Sequence, residues 1–207
     1  MPIVFGIGGN DTKKMVETYN SYDLTGVEAI LSASPYYNKP SQEGIYQHYK
    51  YLSENYNHNI ILYNVPGRTG SNMTAATTLR IAQDFKNVIA IKEASGDMTQ
   101  VMHILNGKPE GFLVISGDDA LTLPMIACGA QGLISVIANS HPYTTKQIVE
   151  SGMEGDLVKA KTAHFALLEL IEAIFEDGNP AGVKVLLNEL GIMKNEVRLP
   201  LVGVNKH

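Results

Sequence analysis

Lys92 stands directly after an apolar, β-branched run, Val88-Ile-Ala-Ile91, and is followed by Glu-Ala-Ser-Gly-Asp97. A lysine on the end of a buried strand has its amine stripped of water. That disfavours the ammonium form and frees the nucleophile for carbonyl condensation through a Schiff base. A strand-end lysine also has ordinary uses, snorkelling to solvent or pairing with Glu93. A second run, Ile60-Ile-Leu-Tyr63, closes on a phenol able to relay a proton to or from a reacting oxygen. The turn after it carries Arg68 among Pro66, Gly67 and Gly70, where a guanidinium fork suits a substrate carboxylate. Both have plain alternatives: a buried tyrosine bonded to backbone, and an arginine facing solvent.

Other chemistry-bearing groups fall at the ends of further apolar runs. Ser34-Pro-Tyr36-Tyr37-Asn38-Lys39-Pro40 sets two aromatics side by side in a loop, suited to a ligand or to another subunit. Ser116-Gly117-Asp118-Asp119 and Gly132-Leu-Ile134-Ser135 place glycine where backbone must approach a small ligand. The Asp118-Asp119 pair is expected to cap a helix rather than bind metal. Gly6-Ile-Gly8-Gly9-Asn10 departs from the dinucleotide fingerprint and reads as a turn. The histidines include no metal-binding pair at helical spacing, so no metal is expected.

These groups need a frame, and the hydrophobic pattern supplies one. Short apolar runs at Ile3–Ile7, Val27–Ser32, Ile60–Tyr63, Val88–Ile91, Phe112–Ile115 and Leu133–Val136 read as strands, each followed by helical sequence. Helices are predicted for Gly44–Asn55 behind Ser41, Ala75–Phe85 behind Thr74, and Ala120–Ala127 behind Asp118-Asp119. Strands alternating with helices imply an α/β fold with a parallel sheet covered on both faces. Past Asn139 the pattern turns helical, with Tyr143–Glu150, Leu157–Phe175 and Ala181–Leu190. In the middle one Leu157, Ala160, Phe165, Leu168, Ile171 and Phe175 suggest an apolar stripe. The expected organisation is a sheet-bearing part over 1–140 and a helical part over 141–207. Strand starts roughly 20 to 33 residues apart fit either an open doubly wound sheet or a barrel two units short of eight.

The chain has 207 residues, 44% hydrophobic and 18% charged, with a formal charge of −5 and one cysteine, Cys128. That composition excludes disorder and offers no basic surface for nucleic acid. The single cysteine argues for a reducing, cytoplasmic setting, and no run is long enough for a membrane span or signal peptide.

Tyr63-Asn-Val-Pro-Gly-Arg-Thr-Gly70 together with Ile91-Lys-Glu-Ala-Ser-Gly-Asp97 resembles the dihydrodipicolinate synthase family of class I pyruvate-dependent aldolases and lyases. The likeness runs from Pro2 to Arg198-Leu-Pro-Leu201 and includes Ser34–Gly44 and Ser116–Asp119. The resemblance implies a TIM (β/α)8 barrel with a C-terminal helical extension, usually a homotetramer built as a dimer of dimers. It implies condensation of pyruvate with aspartate 4-semialdehyde to 4-hydroxy-tetrahydrodipicolinate, in lysine biosynthesis by the diaminopimelate route. Lys92 then matches the imine-forming lysine, Tyr63 the proton-relaying tyrosine, and Tyr37 the tyrosine that completes the relay across a dimer interface. Arg68 matches the arginine that engages the second substrate's carboxylate, while Gly117 and Ile134 match positions lining the pyruvate pocket. Asn10 and Tyr36 match part of a lysine feedback site. No metal or organic cofactor is implied, the enzyme's own amine being the electron sink.

Two departures qualify the resemblance. About six βα units are countable, so the chain is expected to be a partial barrel without the family's Gly-Thr-Thr-Gly-Glu segment and its pyruvate-binding threonines, and its activity alone is in question. Lys14 also stands where lysine-inhibited members commonly carry an acid, which puts feedback inhibition in doubt. The competing readings are a neuraminate or 2-keto-3-deoxy-sugar-acid lyase, which usually lacks the arginine matched by Arg68, and a non-catalytic fragment.

Overall fold

The computed structural model describes residues 2–204. Its elements run β1 (Ile3–Gly6), α1 (Thr12–Asn20), β2 (Val27–Ala33), α2 (Gln42–Asn55), β3 (Asn59–Asn64), α3 (Pro66–Thr69), α4 (Ala75–Asp84), β4 (Val88–Glu93), α5 (Met98–Gly107) and β5 (Leu113–Ser116). Then come α6 (Thr122–Ala127), β6 (Gly132–Leu133), α7 (Pro142–Met153), α8 (Leu157–Glu176) and α9 (Ala181–Glu189). The chain divides into two compact units, residues 1–116 with 128–131, and residues 117–127 with 132–207.

In the first unit, β1 to β5 pair in parallel and strictly in chain order. A doubly wound sheet reverses its strand order at a switch point; this one never does, which is the pairing of a barrel. Alternation along the strands gives two unlike faces. Ile30, Leu62, Ile91 and Val114 are fully buried, as are Ile45, Tyr49 and Leu52 of α2, Ile81 of α4 and Ile104 of α5. On the other face Ala29, Ile61 and Ala90 cluster with the partly buried Leu31 and Ile115, and Leu113 is exposed.

Side-chain caps start the helices. Ser41 accepts from the Gly44 amide and Thr74 from Thr77, as their positions predict. α1, α3 and α5 lie outside the helices predicted from sequence. α1 and α5 each open on an aspartate, Asp11 accepting from Lys13 and Lys14, and Asp97 from Thr99 and Gln100. α1 buries only Met15 and Tyr19, too few apolar positions to make a visible stripe.

In the second unit Ile137, Ile148, Ala163, Leu167, Ile171 and Ile174 form the core, with Leu123 and Leu186 packed against it. This corrects the stripe expected on α8. Leu157, Phe165 and Phe175 are exposed, and the buried line is Ala160, Ala163, His164, Leu167, Ile171 and Ile174. Those residues follow the three- and four-residue helical step more closely than the larger side chains do. β6 ends at Leu133 rather than Val136, and Ile137–Asn139 forms a single 3-10 turn. Among the described residues no helix is long and apolar enough to cross a membrane.

Burial also sets a pH limit. His48 on α2 is 3% exposed, shares a 2.7 Å hydrogen bond with the Thr12 hydroxyl, and is pulled by desolvation from 6.5 to about 4. The unfolded imidazole takes up its proton near 6.5, so below that pH the unfolded state binds more protons than the folded one. Stability should fall by up to about 3 kcal/mol as pH drops from about 6.5 to about 4, then flatten. Buried His164 is lowered by the same cause and acts in the same sense. Urea midpoints across this range are expected to decline less steeply for His48→Gln than for the parent; equal slopes would show that His48 contributes nothing.

Candidate active site

The end of β3 and the end of β4 carry the site. Their register sets Tyr63 opposite Lys92 and Asn64 opposite Glu93. Paired residues share a face and successive ones alternate, so Tyr63 and Lys92 project together on the partly open face while Asn64 and Glu93 turn to the covered one. β4 continues through Glu93, which places Lys92 within the strand rather than just beyond it. Lys92 and Tyr63 are both partly buried. The Lys92 Nζ lies 4.4 Å from the centroid of the Tyr63 ring, within cation–π range.

Burial raises the Tyr63 phenol above its usual value, with the Arg68 guanidinium opposing the shift. Desolvation disfavours the phenolate, so the hydroxyl remains protonated at neutral pH and available to donate. Arg68 sits on α3, one turn begun by Pro66 and ended by Gly70 in the left-handed region at φ 70°. That conformation suits glycine, and it closes the turn by a hydrogen bond from the Gly70 amide to the Pro66 carbonyl. The Thr69 hydroxyl donates to the carbonyl of Ser71, bracing the same turn. The structure thus sets Lys92 beside Tyr63, and Arg68 near enough to Tyr63 to act on its phenol.

Glu93 is not the exposed ion-pair partner that its place beside Lys92 allowed. It is 1% exposed. Its carboxylate accepts from the Asn64 amide at 3.1 and 3.2 Å, the Ser95 backbone N–H at 2.7 Å and the Gln100 amide at 3.1 Å.

Tyr37 projects from the loop after β2, 85% exposed, at φ 72°. Its amide donates to the Thr69 carbonyl, tying this loop to the α3 turn. Tyr36 and Asn10 line one cleft with Gly8, Gly9 and Lys14, so two residues far apart in sequence are neighbours here. Gly117 and Ile134 lie in the second unit, Gly117 directly after β5 and Ile134 directly after β6. Within that unit the two aspartates divide their labour. Asp118 accepts from the Ala120 and Leu121 amides ahead of α6, the capping role expected. Asp119, 5% exposed, instead accepts from the Ser135 hydroxyl and the Val136 and Ile137 amides. It thereby fixes the segment that follows Ile134. Sequence did not indicate this role; Asp-Asp followed by a helix looks like a doubled cap. Among the described residues no group of three His, Cys, Asp or Glu side chains could hold a metal.

A parallel sheet in chain order, bearing reactive side chains at its carboxyl strand ends, defines a barrel-type α/β enzyme. The chain is 55% identical over 202 residues to the 4-hydroxy-tetrahydrodipicolinate synthase of Phocaeicola vulgatus, an alignment covering 98% of this chain and 68% of that protein. The crystal structure of dihydrodipicolinate synthase from Thermotoga maritima matches with a TM-score of 0.96 at 40% identity, over 100% of this chain and 71% of that one. The chloride-inhibited dihydrodipicolinate synthase of Acinetobacter baumannii, complexed with pyruvate, matches with a TM-score of 0.95 at 36% identity, over 100% and 70%. The chain belongs to the Dihydrodipicolinate synthetase family, which it matches over residues 1–207. Its fold is six βα units of a TIM barrel followed by a helical extension.

Asp119→Ala is expected to cost about 1–3 kcal/mol by leaving the Val136 and Ile137 amides and the Ser135 hydroxyl hydrogen without their acceptor. Hydrogen exchange at Val136 and Ile137 should accelerate well before exchange in α8. Unchanged protection at those amides would remove Asp119 from this role.

Proposed function

We propose that this chain forms an imine between Lys92 and pyruvate and condenses it with aspartate 4-semialdehyde, giving 4-hydroxy-tetrahydrodipicolinate for lysine biosynthesis. The observation that carries the reading is the Lys92 amine 4.4 Å from the Tyr63 ring, at the end of paired strands. Membership of the family, and relatives at this identity bearing the synthase name, support it.

The chemistry follows from the side chains. The Lys92 amine adds to the pyruvate ketone, and the carbinolamine loses its hydroxyl as water, with Tyr63 supplying the proton from its phenol. The imine then withdraws electrons from the adjacent methyl, which loses a proton to give an enamine. The enamine carbon attacks the aldehyde of the second substrate, and that substrate's amine displaces Lys92 in closing the ring. No metal or organic cofactor is needed for these steps. Arg68 engages the second substrate's carboxylate, and its exposure on α3 suits a group at the mouth of a site. The sugar-acid lyase alternative has less support because those enzymes usually lack this arginine.

Tyr37 completes the proton relay from a neighbouring subunit in a homotetramer built as a dimer of dimers, a role its outward, exposed ring allows. The cleft at Asn10 and Tyr36 corresponds to a lysine site, but Lys14 sets a cation against a ligand that is itself cationic. Free lysine is therefore a poor inhibitor. The working compartment is the cytoplasm.

Borohydride reduction in the presence of pyruvate should label Lys92, as read by peptide mapping. Lys92→Ala should abolish the label, and Tyr63→Phe should slow it about a hundredfold. Arg68→Ala should leave labelling intact while turnover with aspartate 4-semialdehyde collapses. A folded chain that takes no label would refute the reading.

A further inference from the structure

The polar cluster on the covered face, behind Lys92 and Tyr63, is more elaborate than strand stability requires. Burying a carboxylate in a sheet is costly, and an apolar pair of similar volume would hold the two strands at least as well. Yet Glu93 is buried among donors drawn from β3, from the turn after β4 and from α5. Asn64, next to Tyr63, donates to both Glu93 oxygens and, at 2.8 Å, to Asn72. Its carbonyl oxygen accepts from the Met73 amide at 3.0 Å. Asn72 and Gln100 exchange amide hydrogen bonds at 2.9 and 3.3 Å, and Gln100 of α5 reaches Glu93. The segment from Asn64 to Met73, which contains Arg68, is thus closed on itself through the Asn64 side chain, and that side chain fastens it to a carboxylate one residue from Lys92.

We infer that Glu93, gripped by Asn64, is the positioning residue that fixes the Lys92 amine against the Tyr63 phenol and the Arg68 turn. Neither Glu93 nor Asn64 meets substrate; each acts through its neighbour in the strand. The inference rests on the pyruvate-imine reading, because the spacing it protects matters only if amine and phenol act on one reacting carbon. Displacements of about 1 Å at such a site cost on the order of a hundredfold in rate.

The pairing can be exchanged. Glu93→Gln sets an amide donor against other donors, and Asn64→Asp sets two carboxylates face to face. The double variant restores the complement: the new glutamine donates to the new aspartate, Met73 still donates to it, and Asn72 and Gln100 accommodate by turning their amides over.

The experiment compares the parent, both single variants and the double variant, each confirmed folded by circular dichroism. Borohydride trapping of pyruvate is measured against pyruvate concentration, and reductive methylation of Lys92 by formaldehyde, which needs no phenol, is measured alongside. The expected result is a fall of about 10- to 100-fold in maximal trapping rate for each single variant, with half-saturating pyruvate and formaldehyde methylation little changed. The double variant should recover to within about threefold of the parent, on the same scale. Should Glu93→Gln not fold, Gln100→Leu removes one donor to the carboxylate, and a smaller fall in the same rate is expected.

Folded variants that trap pyruvate at the parental rate overturn the inference while leaving the function standing. So does a double variant no faster than the singles, or a loss of methylation in step with trapping, which marks general loosening. A parent that methylates at Lys92 but never traps pyruvate overturns the function itself, and the inference with it.

Discussion

The register between β3 and β4 is the constraint from which the rest of the site follows. Because side chains alternate along a strand, one registration decides two partnerships at once. Tyr63 meets Lys92 on the open face, and Asn64 meets Glu93 on the covered one. A slip of β4 by one residue would bury the lysine among the apolar side chains beneath the helices, away from the phenol, and turn the carboxylate outward. The hydrophobic series Leu62, Ile91 and Val114, all fully buried, makes that slip prohibitive. The reactive pair is held by apolar burial on the face it does not occupy.

Around that pair the protein combines rigidity with access. The α3 turn carrying Arg68 is short, closed by a left-handed glycine and braced by Thr69, so an exposed guanidinium stands on a well-determined backbone. In the second unit Asp119 does comparable work through two backbone amides and a hydroxyl. In both places buried polar groups that are fully hydrogen-bonded specify one backbone path, which apolar packing alone specifies less sharply.

Much of this was legible in the sequence. The strands announce themselves because continuous β-branched runs bounded by polar residues have few other readings, and Lys92 and Tyr63 stand out by closing two of them. Lys92, Tyr63 and Arg68 are each a polar exception at a predictable place. What stayed hidden depends on partners distant in sequence. Glu93 looked like a neighbour for Lys92 until alternation put the two on opposite faces. Asn64, Asn72 and Gln100 are unremarkable residue types whose meaning lies in mutual geometry. Asp119 was masked by the adequate capping explanation for Asp118. On α8 the bulky Phe165 and Phe175 stay exposed while smaller residues pack, since a helix buries by angle rather than by size. α1 leaves no hydrophobic signature because its polar sequence relies on one aspartate cap and two buried side chains.

The loop that presents Tyr37 has a thermodynamic consequence. Its backbone is held in the left-handed region, its amide is fastened to Thr69, and the next amide, Asn38, bonds back to the Tyr36 carbonyl. The ring is almost fully exposed, yet the chain beneath it has surrendered its freedom during folding. Any surface that covers this tyrosine therefore meets a side chain with only two torsions left to freeze, rather than a loop to be ordered. The entropic part of association has been settled in advance, and the favourable contacts of the aromatic ring can appear almost undiminished as affinity.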